Sequence, residues 1–380
     1  MLAMSPLAVA ALVTGGLAVG RLLVGSVLLA RHLRRSRVAS IPPGPTPPIS
    51  LLKPLYGDEP GLAENLVATL RQNYPEFEVL WLHERSDDPA LAAVERAVSS
   101  VPDVPTRRVA GRASDAANPK VGVLLKGAAG ARHGILACAD SDVRPDPLYL
   151  RDIANALAEG DAVSFLPVLF GMRTLGGRLV GLMLDVEGAL TVLLTRGQVT
   201  TGATIALRRD ALDAIGGYAA VKDSIADDHA LGVALRRAGR RLVLARRAAR
   251  MFAPGGTMRD TIVGWGRWTR TVRSAAPRFH WAHLPFAFAP LLCVVAGATT
   301  PPCPWALGVL VVHTVVRAGV ALAVDLRFCR DGSLRRAIPL LPLLWLFEPL
   351  GWLIGTFGRT VLWRGRRYRL EGGRATLVER

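Results

Sequence analysis

The chain has 380 residues, 51% of them hydrophobic, and a mean hydropathy of +0.30, high for a wholly soluble protein. Lys and Arg number 47 against 30 Asp and Glu, a formal charge of +17. Such an excess suits nucleic acid or an anionic membrane surface. Its placement beside apolar segments, without a recognition motif, favours the membrane and argues against nucleic acid.

Residues 7–30, "LAVAALVTGGLAVGRLLVGSVLLA", are long enough to cross a bilayer of roughly 30 Å, interrupted only by Arg21. That side chain must snorkel or face another helix. No basic stretch precedes the segment, so residues 1–36 read as an anchor and not as a cleaved signal peptide. "RHLRRSR" follows at 31–37, which puts that end in the cytoplasm by the positive-inside rule. Residues 37–48 form a proline-rich linker containing "IPPGPTPP", a stiff extended spacer.

Residues 49–250 alternate strand and helix patterns. "PISLLKPL", "FEVLWLHE", "GILACAD" and "AVSFLPVLF" read as strands. "GLAENLVATLRQNYP", "PALAAVERAVSSVP" and "LYLRDIANALAEG" read as helices, the first ending near Pro75. This order predicts an α/β domain with a mostly parallel sheet covered on both faces. Ligands in such sheets bind beyond the carboxyl ends of the strands. Residues 251–283 form an interfacial segment, and 284–359 hold C-terminal membrane segments with apolar runs at about 284–299 and 304–325. The loop "RFCRDGSLRR" at 327–336 is basic, hence cytoplasmic. A third apolar run, about 337–358, contains Pro339, Pro342, Glu348 and Pro349 and precedes "RGRRYR" in the basic tail 360–380. A full crossing would strand that tail outside, so a re-entrant or interfacial segment is expected, with the tail in the cytoplasm. Cys138, Cys293, Cys303 and Cys329 form no CxxC pair, and no His cluster has zinc spacing. They read as small buried or lipid-facing residues, not a disulfide framework.

Three acidic blocks sit where a ligand would bind. Asp140, Ser141 and Asp142 end the strand "GILACAD". Two carboxylates on one turn suit a divalent cation that is shared with a substrate's phosphates, although a solvated turn uses the same residues. Asp87 and Asp88 follow "FEVLWLHE"; one of them suits a nucleotide's base or ribose, or Asp88 caps the helix that begins at Pro89. "DSIADDHALG" carries Asp223, Asp227 and Asp228, with His229 next. Asp227 or Asp228 is either an N-cap or a general base aimed at an acceptor hydroxyl. In "GWGRWTRTVR" two Trp alternate with Arg267, Arg270 and Arg273. Such a segment is an interfacial belt, or a Trp shaping an acceptor pocket beside an Arg whose planar fork holds a diphosphate.

In this order and between these spans, the blocks "ISLLKPLYGDEPGLAENL", "YPEFEVLWLHERSDDPA", "NPKVGVL", "ACADSDVRPDP", "TTGATIALRRDALDAIGGY", "IADDHALG", "RWTR" and "GRTVLWRGRRYRL" resemble the membrane glycosyltransferases of family 2 type. The likeness is to the ceramide glucosyltransferase group and its bacterial relatives, the hopanoid biosynthesis glycosyltransferases, and spans residues 49 to about 370. It implies a GT-A fold and an inverting transfer from a UDP-sugar to a lipid hydroxyl. Residue by residue it implies Asp88 as a nucleotide-binding acid, Asp140 and Asp142 as the acids of a Mg2+ or Mn2+ ion and the donor diphosphate, and Asp228 as general base. Arg267 and Trp268 match the end of the (Q/R)xxRW motif, but Gly264 stands at its Gln/Arg position, with Arg259, Arg270 or Arg273 as replacements. The resemblance further implies a hopanoid acceptor such as bacteriohopanetetrol with N-acetylglucosamine as donor sugar, in a bacterial inner membrane with the catalytic domain in the cytoplasm. Ceramide with glucose is the alternative, ahead of a processive polysaccharide synthase or an inactive membrane scaffold.

Overall fold

The computed structural model describes residues 4–36, 44–196, 198–299 and 303–379. Residues 37–43 of the proline-rich linker and Arg380 lie outside the described residues. The elements run α1 (Pro6–Ser36), β1 (Ile49–Pro54), α2 (Leu62–Leu70), β2 (Phe77–His83), α3 (Ala90–Ser100), β3 (Thr106–Ala110), α4 (Pro119–Gly130), β4 (Ile135–Ala139), α5 (Tyr149–Glu159) and β5 (Ala162–Phe170). There follow α6 (Leu175–Leu182), a π-helical turn over Met183–Gly188, α7 (Ala189–Leu194), β6 (Thr204–Arg208), α8 (Arg209–Asp213), α9 (Asp227–Arg237) and β7 (Leu242–Phe252). The chain ends with α10 (Met258–Ala275), α11 (Pro277–Ala282), α12 (Leu284–Ala298), α13 (Pro304–Val324), α14 (Leu341–Thr356) and the strands β8 (Thr360–Trp363), β9 (Arg366–Glu371) and β10 (Arg374–Glu379).

Seven strands form one sheet in the order β3-β2-β1-β4-β6-β5-β7. Only β6 runs against its neighbours, so the expected mostly parallel sheet is observed. Its central strands β1, β2 and β4 are buried on both faces because helices cover both. On one face Leu51, Val79 and Trp81 pack with Leu66, Val94 and Ile153, and on the other Leu52, Leu80 and Leu136 pack with Val121, Leu124 and Leu235. Each such side chain contributes roughly 1.5–3 kcal/mol relative to exposure.

Two expectations are corrected. "GILACAD" is the fourth strand, because β3 and α4 precede it. β3 is a partly exposed edge strand bearing Arg107 and Arg108, so it lacks an apolar run. The periodicity of α4 is broken by Gly122 and Gly127. The helix expected to reach Pro75 stops at Leu70. The residue before a proline is driven extended, and the Asn73 amide is drawn away to the Pro147 carbonyl at 2.7 Å.

Four helical stretches, Pro6–Ser36, Pro277–Ala298, Pro304–Cys329 and Arg335–Thr356, are long and apolar enough to cross a membrane. α1 lies along α12 and α13 through small residues: a Cβ at Gly15 would sit 2.7 Å from Val309 Cγ1 and 2.9 Å from Cys293 Sγ. At its other end Ser36 Oγ accepts from Arg327 Nε at 3.0 Å. Small residues let backbones approach where lipid removes the hydrophobic drive between helices. The sheet domain reaches this bundle through α7, whose Leu190 lies against Gly25. Arg21 does face other elements: it pairs with Glu187 and stacks over the Phe286 ring at 5.0 Å. Glu187 also meets Arg317, which grips Glu348 of α14 with Nη2 2.5 Å from Oε1.

α14 is packed at both ends on the sheet-domain side. Leu341 and Leu344 of its first turns join Leu166 and Val168 of β5 in one core. At the far end Arg273 Nε donates to Gly355 O at 2.7 Å. The basic loop between α13 and α14 is tied to the same side, since Gly171 N donates to Asp331 Oδ2 at 2.6 Å. All four cysteines are free and buried.

Candidate active site

The strand order reverses between β1 and β4, both of which end at the same edge. A crevice opens at such a reversal, and Asp140-Ser141-Asp142 follows β4 into it. The turn is clamped from several sides. Lys53, buried at the end of β1, donates to Asp140 O at 2.5 Å and Val143 O at 3.1 Å. Ser141 Oγ donates to Glu59 Oε2 at 2.6 Å, and Phe252 N donates to Asp142 O at 2.8 Å. Burial lowers the Lys53 ammonium to about 8.

Lys120, in the first turn of α4, joins two of the acidic blocks. Its Nζ lies 2.6 Å from Asp140 Oδ1 and 3.5 Å from Asp227 Oδ2. Burial opposes its charge, but Asp140 and Asp227 outweigh it and hold the ammonium well above its ordinary value. Asn118 sets this position. Its Oδ1 caps α4 by accepting from Lys120 N and Val121 N, and its Nδ2 donates to Ser224 O at 2.7 Å. A cation in a helix's first turn opposes the helix dipole, so Lys120 stands there against local electrostatics and for the acids.

Asp227 and Asp228 open α9, whose N-cap position is Ala226 without a side-chain cap. Neither is the helix cap, which the sequence left as an option. Asp228 Oδ1 accepts from the adjacent His229 N at 2.7 Å. Its carboxylate lies close to the chain at 200–203: a Cβ at Gly202 would come 3.1 Å from Asp228 Oδ2. Burial, then the charge of Asp227, raises Asp228 to about 7.

Asp142 is half-buried, and its Oδ1 has no hydrogen-bond partner. Burial, followed by the charges of Asp140 and Glu59, raises it to about 7. A desolvated, unpartnered carboxylate oxygen beside a second carboxylate fits a divalent cation. No group of three or more His, Cys, Asp or Glu able to hold a metal alone occurs among the described residues, so such an ion would need further ligands from a bound donor or water.

Asp88 is buried in the loop between β2 and α3, where its Oδ1 accepts from Gly57 N at 2.9 Å and Ala90 N at 3.0 Å. It therefore ties the loop after β1 to the start of α3. Arg267 and Trp268 lie on α10, begun by a Thr257–Asp260 capping box. Trp268 is exposed and its ring stands 5.4 Å from that of Trp265. Burial, and secondly the charge of Arg364, lowers the Arg267 guanidinium. Two of the proposed replacements at the Gly264 position are engaged elsewhere: Arg270 donates to Phe357 O, and Arg273 to Gly355 O and Gly358 O.

The structure thus gathers Asp140, Asp142, Asp227 and Asp228 around Lys120, with Asp88 one loop away. No ion pair joins Arg267 to these acids among the described residues. Sequence reasoning passed over Lys53, Glu59 and Lys120 as site residues. Only Lys120 carried a signal, an Asn cap and a Pro followed by an unfavourable charge.

The C-terminal strands close around the same region. Arg366 Nη2 pairs with Glu84 Oε1 at 2.9 Å, Tyr56 Oη donates to Arg364 O at 3.1 Å, and Ala375 N donates to Asp223 O at 2.7 Å. Their sheet therefore rests on the loops after β1 and β2 and on the loop that leads to Asp227.

Comparison with known proteins agrees with this layout. The profile of glycosyl transferase family 21 matches residues 17–376. Ceramide glucosyltransferase 1 of Caenorhabditis elegans is 22% identical over 361 residues, covering 88% of this chain and 74% of the relative. A ceramide glucosyltransferase of Komagataella phaffii is 30% identical over 107 residues, 26% of this chain and 21% of the relative. Among solved structures, a mannosyltransferase from Pyrobaculum calidifontis in complex with GDP-mannose and Mn2+ superposes with a TM-score of 0.50 at 18% identity, over 92% of this chain and 99% of that one. That likeness is one of fold, the GT-A fold.

Proposed function

The chain belongs to glycosyl transferase family 21 and is a sugar-nucleotide-dependent glycosyltransferase, and we propose that it moves a sugar from a UDP-sugar to the hydroxyl of a membrane lipid with inversion. The observation that carries this reading is the set of acids gathered by Lys120 at the carboxyl edge of the sheet, beside helices apolar enough to lie in a membrane. Asp228 is the general base. Its pKa of about 7 lets it ionise near neutrality and still accept a proton. It takes the acceptor hydroxyl's proton while that oxygen bonds to the anomeric carbon. The bond from that carbon to the diphosphate breaks, and UDP leaves from the opposite face. Asp88 serves the nucleoside, Arg267 the diphosphate, and Trp268 the acceptor. A Mg2+ or Mn2+ ion held by Asp140 and Asp142 would offset charge on the departing diphosphate.

The acceptor we infer is a hopanoid such as bacteriohopanetetrol, and the sugar N-acetylglucosamine, on the sequence likeness to bacterial enzymes. Ceramide with glucose is the second reading, supported by the names of the curated relatives. We place the catalytic domain on the cytoplasmic side of a bacterial inner membrane, since Arg31, Arg34 and Arg35 end α1 where the domain begins. The C-terminal strands share that side because they rest on the domain, which supports α14 as a segment lying in the interface.

The test is a matrix of UDP-N-acetylglucosamine and UDP-glucose against bacteriohopanetetrol and ceramide, with protein in lipid nanodiscs and Mg2+ or Mn2+, read by mass spectrometry. An N-acetylglucosaminyl hopanoid that disappears in Asp228→Asn supports the reading. Glucosylceramide would assign the second. Absence of product in every pairing, from folded protein, would refute both.

A further inference from the structure

The turn between β8 and β9 is two residues long, Arg364-Gly365, and both have positive φ, 50° and 74°. This is the backbone of a type I′ hairpin turn, where Asn-Gly is the favoured pair. An arginine in the left-handed region costs conformational energy, so its side chain invites a functional explanation. That side chain is held in place from two sides. Its Cζ stands 4.8 Å from the centre of the Tyr56 ring and 5.4 Å from that of Trp363. Tyr56 Oη also donates to the Arg364 carbonyl. The guanidinium is thus oriented before any ligand arrives.

Its surroundings lack the expected counter-charge. Among the described residues Arg364 makes no ion pair, although the neighbouring Arg366 does. β8 packs against α10, and Arg267 of that helix feels the charge of Arg364. Arg267 has no acidic partner among the described residues either. Two guanidinium groups drawn together without an anion repel each other, and a bound dianion would turn that cost into attraction. The place is also apt. Tyr56 adjoins Gly57, whose amide binds Asp88, so the turn overhangs the loop assigned to the nucleoside. On α10 the position of Gly264 is open, since a Cβ there would meet nothing within 4 Å.

We propose that Arg364 is a second guanidinium for the donor's diphosphate, forming with Arg267 an anion seat that the C-terminal hairpin completes from outside the GT-A domain. The inference rests on the reading of the donor as a nucleoside diphosphate sugar. It assigns the cation that Gly264 does not supply to a residue 100 positions further along the chain, and gives the C-terminal sheet a part in donor binding.

The experiment measures Kd for UMP and UDP by calorimetry on the full chain in nanodiscs, with Mg2+ present, for wild type, Arg364→Asn and Arg364→Lys. Asn suits the left-handed turn, so the first variant removes the guanidinium and keeps the hairpin; circular dichroism checks the fold. Loss of charge-assisted hydrogen bonds to a phosphate predicts UDP affinity down by about 10- to 100-fold, with UMP changed by less than about 3-fold. Arg364→Lys keeps the charge but not the planar fork; it loses UDP affinity selectively by a smaller factor, and carries the test if the Asn variant does not fold. Equal losses for UMP and UDP would overturn the proposal in favour of a nucleoside contact. Unchanged affinities would overturn it in favour of a purely structural turn. A wild-type chain that binds neither nucleotide would overturn the donor reading itself, and this inference with it.

Discussion

Replacing Arg317 by leucine tests whether the four-residue charge cluster at the junction of the membrane helices and the sheet domain holds α14 in place. Arg317 is 1% exposed. It donates to both carboxylate oxygens of Glu348, at 3.2 and 2.5 Å, and its Nε lies 3.4 Å from Glu187 Oε1. Glu187 has a second partner in Arg21, whereas Glu348 has no other ion pair among the described residues. Arg317→Leu therefore leaves Glu348 buried without a cation, and should cost towards the upper end of the ~3–5 kcal/mol seen when one partner of a buried pair is removed. Glu348→Gln leaves Arg317 with Glu187 and should cost about 3 kcal/mol. In Arg317→Leu/Glu348→Gln the orphaned charge is gone, so the double variant should cost less than the sum by about 2–3 kcal/mol. The assay is unfolding in mixed micelles titrated with denaturing detergent, followed by the fluorescence of Trp345 and Trp352 on α14. Single variants that each lose less than about 1 kcal/mol, or a double variant equal to the sum, would refute a coupled clamp.

Three more outcomes are expected. With Asp228 raised to about 7, the base is protonated at lower pH, so kcat/KM should fall about tenfold per pH unit on the acid side. Asp228→Asn should lower kcat at least about 100-fold and abolish that limb; a flat profile between pH 5 and 8 would exclude this base. Lys120 lowers Asp228 as well as holding Asp140 and Asp227. Lys120→Gln should then move the acid limb to higher pH and cost about 1–3 kcal/mol of stability, and an unmoved limb would separate Lys120 from the base. A Cβ at Gly351 would fall 1.4 Å from Trp265 Nε1, so Gly351→Ala should force α10 and α14 apart, destabilise by about 1–3 kcal/mol and redshift Trp265 emission. Gly308→Ala, where nothing lies within 4 Å, is the near-neutral comparison.

Much of the architecture was legible in the one-dimensional pattern. Apolar runs of 20 or so residues can lie only in lipid or a large core, which marked α1, α12 and α13. Short apolar strands alternating with amphipathic helices can bury their faces only in a covered, largely parallel sheet, and the acids after β2 and β4 stand out because charge rarely follows a buried strand. β3 was missed because an edge strand with Arg107 and Arg108 outward has no apolar signature. The Leu175–Leu194 region was passed over because its apolar character serves contact with α1 rather than any period of its own.

What sequence alone determined was which residues are chemically able to act: paired acids at strand ends, a basic interfacial helix, apolar spans. Those are properties of residue type and local spacing. Tertiary structure decided which of them meet. Lys120 reaches Asp140 and Asp227 only because α4 and α9 begin at the same edge of the sheet. Arg364 comes to Tyr56 from 308 positions further along the chain, and Glu348 of α14 finds Arg317 of α13. Electrostatic energy depends on distance in space and on the water removed between charges, and neither can be read from position along the chain.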